Sequence, residues 1–352
     1  MSFSHRFFLY GPFGLFVAFA ASVMLYWWHA ADQLAHRLDQ MNGREIAPGV
    51  HMHFRTKRIA GFPFRLDAIL TDLTLDAPGA DGPVTWYTHD FASHRLTYDS
   101  TKYVLEAAGP QVISWIGDNG EAHSFRFTPT VLHGSAAIEG GKLAHFDIDV
   151  YGLVSPKFSA ARAQFHFRHD PVLDALDLVA DLQSVRFAGD AEAGFADGFS
   201  HARIEGRLAP AEPFAPVLAG DADWRHALGG WQRGKDSGFK VDQAALFWGK
   251  CEATSSGAVT LDSEHRLAGS LAFSLADCDG LDKQAAGVTE HPGSHRAVLD
   301  VLAELSHRVP ADKSGALPIT VVFKDGLIFV GPGKDVGGNV GFEPVGFLHA
   351  LY

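Results

Sequence analysis

The chain opens on an unbroken apolar run and then changes period. Residues 7–28 are 22 residues without a formal charge. As a helix they reach about 33 Å, enough for the roughly 30 Å hydrocarbon layer of a bilayer. Tyr26, Trp27 and Trp28 gather at the far end, where amphipathic rings suit a lipid interface, and Gly11-Pro12 disturbs only the beginning. From Ala30 to Met41 the positions Leu34, Leu38 and Met41 keep helical spacing, so a short juxtamembrane helix is expected before Pro48-Gly49.

Beyond residue 50 the period becomes two. Val50 to Ile59 alternates approximately, and G-F-P-F-R-L-D-A-I-L-T-D-L-T-L-D-A-P over 61–78 is an extended entry into a strand, because Pro63 disfavours the α region at Phe62. Phe62 and Phe64 are expected as apolar packing residues about that proline, and Arg65 as an ion-pair partner closing the strand junction. Further strands are expected at 67–76, 84–93, 95–105, 125–132, 135–138, 143–150 and 160–167. In H-F-D-I-D-V, Phe146, Ile148 and Val150 take one face while His145, Asp147 and Asp149 take the other, the signature of a half-wetted antiparallel sheet.

The alternation resumes at 176–182, with Val185-Arg186-Phe187 starting another extended piece, and at 200–208. Pro210 to Pro216 marks an internal boundary, either between two lobes or as an excursion within one sheet, and 221–231 suits a short helix. Strands are expected again at 240–248, 258–261 and 267–275. Val298, Leu302, Leu305 and Val309 then space out a helix near 295–309. Asp325-Gly326 reads as a tight hairpin turn between 319–323 and 327–330.

The expected class is therefore predominantly β with some α (α+β): an N-terminal transmembrane helix followed by an elongated, curved antiparallel-sheet periplasmic region with covering helices. Its divisions are a cytoplasmic N-terminus (1–6), a signal anchor (7–28), a juxtamembrane segment (29–49), a first β-rich region (50–209), a linker or helical insertion (210–238) and a second β-rich region (239–352).

Composition supports a folded chain: 47% hydrophobic residues and a mean hydropathy of +0.01 exclude disorder, and 37 Gly with 17 Pro favour turns over long bundles. A net charge of -12 gives nucleic acid no basic field to grip. Arg6 before the apolar run places the amino terminus in the cytoplasm and the bulk outside. Ala18-Phe19-Ala20 could serve signal cleavage, but the mature chain would then begin with Val23 to Trp28 exposed, so an uncleaved anchor is preferred. Cys251 and Cys278 suit an oxidising compartment, as a bridge or as two buried thiols.

Chemical sites are harder to find. His51 and His53 could share one side of a strand and His166 and His169 could meet around a turn, yet no H-E-x-x-H or Cys/His cluster accompanies the 19 histidines, so no metal is assigned. Asp67, Asp72, Asp147 and Asp149 are explained by a wet sheet face, and no G-x-S-x-G elbow occurs. Gly331-Pro332-Gly333-Lys334-Asp335 lacks the Walker spacing. No catalytic residue or cofactor is expected. What remains physical is a curled sheet that places alternate apolar side chains along a groove for a lipid, with Phe62, Phe64, Arg65, Phe146, Phe273 and Phe329 as ligand or packing candidates. An envelope scaffold that binds a protein partner is the alternative, and a periplasmic hydrolase a more distant one.

G-F-P-F-R at 61–65 after a single anchor, W-G-K-C-E-A-T-S-S-G-A-V-T-L-D at 248–262 and K-D-G-L-I-F-V-G-P at 324–332 together resemble a bacterial envelope family, domain of unknown function 2125. The resemblance covers most of the chain after Asp32. It implies an alphaproteobacterial inner-membrane protein with a large periplasmic portion. More loosely, the chain is similar to anchored proteins with repeating β-rich periplasmic domains, some associated with lipid transport or outer-membrane assembly. Gly61 to Arg65 is a family marker in this comparison, and no catalytic residue comes with it.

Overall fold

A computed structural model of the chain describes residues 5–79, 82–117, 120–188, 198–234, 236–278, 311–312, 315–333 and 343–347, without the side chains of 5–9 and 343–347. The apolar run and the amphipathic stretch after it form one continuous helix, α1 (His5–Met41), with Pro12 inside it. Between Tyr10 and Met41 it has a window long and apolar enough to cross a membrane, none of which is buried in the protein. The last three turns behave differently. Ala31 and Leu38 are buried and Leu34 and Met41 pack near them, a one-sided stripe that needs a partner surface. Asn42 then stops the helix: its side-chain amide donates to the Phe54 carbonyl (3.0 Å) and its side-chain oxygen accepts from the Phe54 N–H (2.9 Å), while Gly43 at φ 74° supplies the left-handed turn.

The rest is a meander. Its strands are β1 (Arg44–Ala47), β2 (Val50–His53), β3 (Thr56–Ala60), β4 (Arg65–Pro78), β5 (Pro83–Leu96), β6 (Asp99–Ile116), β7 (Ala122–Phe127), β8 (Val131–Glu139) and β9 (Lys142–Val154). Then come β10 (Phe158–Asp170), β11 (Ala175–Phe187), β12 (Gly198–Ala209), a short 3-10 turn at Glu212–Phe214, α2 (Ala215–Ala219) and α3 (Trp224–Gln232). The chain returns to sheet as β13 (Gly238–Trp248), β14 (Cys251–Leu261), β15 (Leu267–Ala276), β16 (Leu317–Lys324), β17 (Leu327–Pro332) and β18 (Glu343–Phe347). Every pairing among the described residues is antiparallel, and the 18 described strands belong to one sheet. Two long strands carry two short neighbours each: β2 and β3 lie along different halves of β4, and β7 and β8 along different halves of β6. The Pro210 to Pro216 boundary is an excursion, since β12 and β13 pair directly from Ala209 to His201. Asp223 caps α3 by accepting from the His226 N–H.

Strict alternation fails at recurring kinks. Leu70 and Leu73 are both buried although three residues apart, because Asp72 between them sits at φ 49°. Val150 and Leu153 straddle Gly152 (φ 57°), and Leu182 and Val185 straddle Ser184 (φ 51°), in the same arrangement. A residue in left-handed conformation resets the pleat, keeping both apolar neighbours on one face and bending the strand. Three partners hold the Asp72 kink: Tyr87 Oη donates at 2.8 Å, His89 Nδ1 lies at 2.7 Å and Arg55 Nη2 at 2.7 Å. At Gly152 a Cβ would stand 2.3 Å from Thr130 Oγ1, so only glycine fits. This is why Val185-Arg186-Phe187 looks like a new strand in sequence but is the end of β11.

Other departures have simple causes. β1 lies inside the expected juxtamembrane segment, and the first half of β14 escapes notice because its inward positions, Ala253, Ser255 and Gly257, are too small to mark a phase. Asp325 and Gly326, at φ 52° and 76°, make the expected hairpin turn between β16 and β17. The expected helix near 295–309 lies outside the described residues.

Candidate functional site: the apolar face

Register turns the separate strand patterns into a single surface. Residues directly opposite one another run Ala68, Ser93, Leu105, Gly134, Ile148, Phe165, Ala180, Ile204, Ala244, Ser255, Phe273 and Ile319, from β4 to β16 without a break. None of these positions carries a charge. Three packed clusters close parts of the face. Leu34, Leu38 and Met41 of α1 cover Met52, Phe54, Ala68, Leu70 and Leu73. The insertion between β12 and β13 sets Phe214, Ala227 and Trp231 on Leu176, Phe167, Leu208 and Leu261. At the other ends of β7–β12, Phe125, Phe127, Phe158, Phe187 and Phe199 pack with Leu153 and Val185, the Phe125 ring stacking on Phe127 and Phe158.

Between the second and third clusters the face stays open among the described residues. On β10 the closed positions Phe158 and Phe167 flank Phe165, which is 37% exposed; on β11 Val185 and Leu176 flank Leu182, 37% exposed; on β12 Phe199 and Leu208 flank Ile204, 40% exposed. An apolar trough crosses three strands. A hollow of about 290 Å³ lies nearer α1, and its lining includes the reverse-face row Ile69, Ala92, Glu106 and His133.

The reverse face is polar and internally paired. Glu106, His133, Asp149, Gln164, Asp181 and Arg203 are successive cross-strand partners from β6 to β12. Arg162 holds Asp149 with two hydrogen bonds, 2.9 and 2.5 Å, and that pairing keeps the Asp149 carboxyl below its ordinary pKa. Burial pushes Asp147 up, but hydrogen bonds from His166 (2.6 Å), His145 and Ser135 (2.9 Å) outweigh it and leave the carboxyl lowered. Asp181 follows the same logic: burial raises it, and His201, Gln183 and Arg203 together bring it below the usual range. Toward α1, His94 Nδ1 stands 2.8 Å from Asp67 Oδ1, close enough for an ion contact but not aligned as a hydrogen bond. These acids are occupied by neighbours.

A family model described as an uncharacterised protein conserved in bacteria, DUF2125, matches residues 27–334, from Trp27 at the end of the apolar run to just past β17. The chain belongs to this family. No curated protein matches it. The three segments that suggested DUF2125 from sequence fall at the turn into β4, at the turn into β14 with that strand, and at the β16–β17 hairpin.

Within this DUF2125 chain the candidate residues separate. Phe146 and Phe273 lie on the apolar face, through the pairs Phe146 with Phe167 and Phe273 with Ile319. Phe329 pairs with Val322, one position out of phase with Val321 and Val330, and belongs to the reverse face. Phe62 and Phe64 are outside the core, 52% and 64% exposed, instead of packing within it. Phe62 meets Trp27 edge-on at 5.4 Å, and Arg65 reaches Asp67 at 3.0 Å while its carbonyl accepts from the Trp27 indole at 2.7 Å. Cys251 and Cys278 are joined as a disulfide. His51 and His53 are both exposed, and His166 and His169 share β10 on opposite faces instead of meeting around a turn. Among the described residues no group of three His, Cys, Asp or Glu side chains could hold a metal ion. The trough residues Phe165, Leu182 and Ile204 were not singled out from sequence. Each sits in an alternating stretch, but only the register of three strands brings them together.

Proposed function

We propose that the protein is a non-catalytic lipid-handling component of the bacterial envelope. In this reading α1 anchors it in the inner membrane with its amino terminus in the cytoplasm, the sheet stands in the periplasm, and the open trough receives lipid hydrocarbon. One observation carries the proposal: a cross-strand row without charge runs over many strands, and among the described residues Phe165, Leu182 and Ile204 remain open between two packed clusters on that face. Location is supported by the unburied apolar part of α1, by the aromatic residues that end it and by a disulfide, which an oxidising compartment sustains.

Magnitudes indicate what kind of ligand suits the trough. Fully burying a Leu, Ile or Phe contributes about 1.5–3 kcal/mol, so covering side chains already more than half hidden recovers only ~1 kcal/mol each. A lipid chain contributes about 0.8 kcal/mol per methylene it removes from water. The driving force therefore resides in the ligand's chain, and selectivity should follow chain length more than headgroup.

Native mass spectrometry of the gently extracted full-length protein tests this reading. Lipid should accompany the wild type, should be depleted at least tenfold in Ile204→Glu, and should persist in Ala245→Glu, whose new carboxylate lies on the reverse face opposite Arg203. A lipid-free wild type holding an envelope protein would instead support the scaffold function.

A further inference from the structure

Several exposed aromatic residues gather where α1 meets the sheet. Tyr26 Oη donates to the Thr97 carbonyl at 3.1 Å and Trp27 Nε1 to the Arg65 carbonyl at 2.7 Å, so the end of the apolar run is tied to two separate turns. Those turns are also tied to each other, since the Thr97 N–H and hydroxyl both donate to the Phe64 carbonyl, at 3.0 and 3.1 Å. Around this junction Phe62, Phe64 and Tyr98 are 52%, 64% and 74% exposed. Tyr26 and Trp28 are exposed beside them.

We propose that the G-F-P-F-R turn and the β5–β6 turn form a second membrane contact, with Phe62, Phe64 and Tyr98 seated in the headgroup region of the same bilayer that α1 crosses. The inference rests on the anchored reading of α1 given above. Continuity with the helix identifies the occupant. Aromatic residues at the end of a spanning helix lie at the level of the lipid headgroups, and the hydrogen bonds from Tyr26 and Trp27 set Arg65 and Thr97 at that level. A polar surface there would face headgroups and water; this one presents apolar rings, which the interface accommodates and bulk water does not. The consequence is mechanical. A helix alone lets the sheet swivel about the bilayer normal and tilt, whereas contact at two turns besides the helix fixes one end of β4, β5 and β6 against the membrane.

Spin labels on the full-length protein in phospholipid vesicles test the contact, because Cys251 and Cys278 are bridged and an introduced cysteine reacts alone. The variants are Phe16→Cys within α1, Phe64→Cys and Tyr98→Cys in the two turns, and Lys157→Cys in the β9–β10 turn at the opposite end of the strands. Collision rates with oxygen and with a water-soluble nickel chelate report depth. The proposal expects the oxygen-to-nickel ratio to be highest at residue 16 and several-fold higher at 64 and 98 than at 157. A deep label at 16 with 64 and 98 indistinguishable from 157 overturns the second contact and leaves the anchor intact. A water-exposed label at 16 overturns the anchor and the contact with it. Positions 64 and 98 lie on different turns, so perturbation of one by its label still leaves the other to decide.

Discussion

Under α1 and across β10–β12 the same sheet face meets two different fates. At the first place Leu38 and its neighbours complete the packing, and Leu70 and Leu73 are 2% and 1% exposed. At the second, Phe165, Leu182 and Ile204 have equivalent positions in the pleat but no described side chain seated over them to the same degree. The strands do not differ in period or in residue class. What differs is whether a helix arrives among the described residues, and the two packed clusters flanking the trough keep its walls in place without filling it. A fold built for stability alone would gain by closing that gap, so the gap is the feature to perturb.

Four perturbations sharpen the contrast, in decreasing order of expected effect. Leu73→Ala in the closed region should cost about 2–5 kcal/mol, a lost side chain plus the cavity left behind, measured by denaturant unfolding of the detergent-extracted chain. Gln111→Ala should cost about 1–3 kcal/mol, because Gln111 is fully buried in β6, accepting from the Trp86 indole at 3.0 Å and donating to Thr88 at 3.0 Å, and its loss strands the indole N–H. Ile204→Ala in the trough should cost no more than ~1 kcal/mol, since its side chain is far from fully buried. A cost there as large as at Leu73 would erase the distinction between the regions.

Acid gives the fourth and subtlest test. Asp147 and Asp181 have lowered pKa values when folded, so the unfolded chain takes up protons first as pH falls. Their stabilising contribution is fully present above the unfolded carboxylate value of about 3.9 and is lost as pH drops through the lower folded values. Amide exchange should therefore show β9–β12 losing protection below about pH 4, and Asp147→Asn with Asp181→Asn should flatten that dependence.

Much of the fold was legible because period two survives within each strand: the D-I-D-V stretch of β9 and the alternation of β12 hold their phase over most of their length. The kinks were not, since Asp72 and Ser184 sit within alternating stretches that a wet face explains, and only their left-handed backbone, held at Asp72 by its partners, reveals that the pleat reverses. The candidate site was legible as a class of surface and not as residues. Phe146 and Phe273 could be placed on an apolar side from their own strands, but Phe165, Leu182 and Ile204 become neighbours through pairings between β10, β11 and β12 that no single stretch encodes. Phe62 and Phe64 misled for another reason. In a water-soluble context exposed rings at a turn are costly, so burial was the natural expectation; the membrane contact proposed above, beside Trp27, would give them a different solvent.

The most direct test of the central claim compares two adjacent residues. A photoreactive amino acid placed at Ile204, on the trough, and at Glu205, one position along β12 and on the reverse face, would be irradiated in native membranes with the full-length chain in place. The account predicts lipid adducts at 204 and essentially none at 205. Equal labelling at both positions, or protein adducts alone at 204, would contradict it.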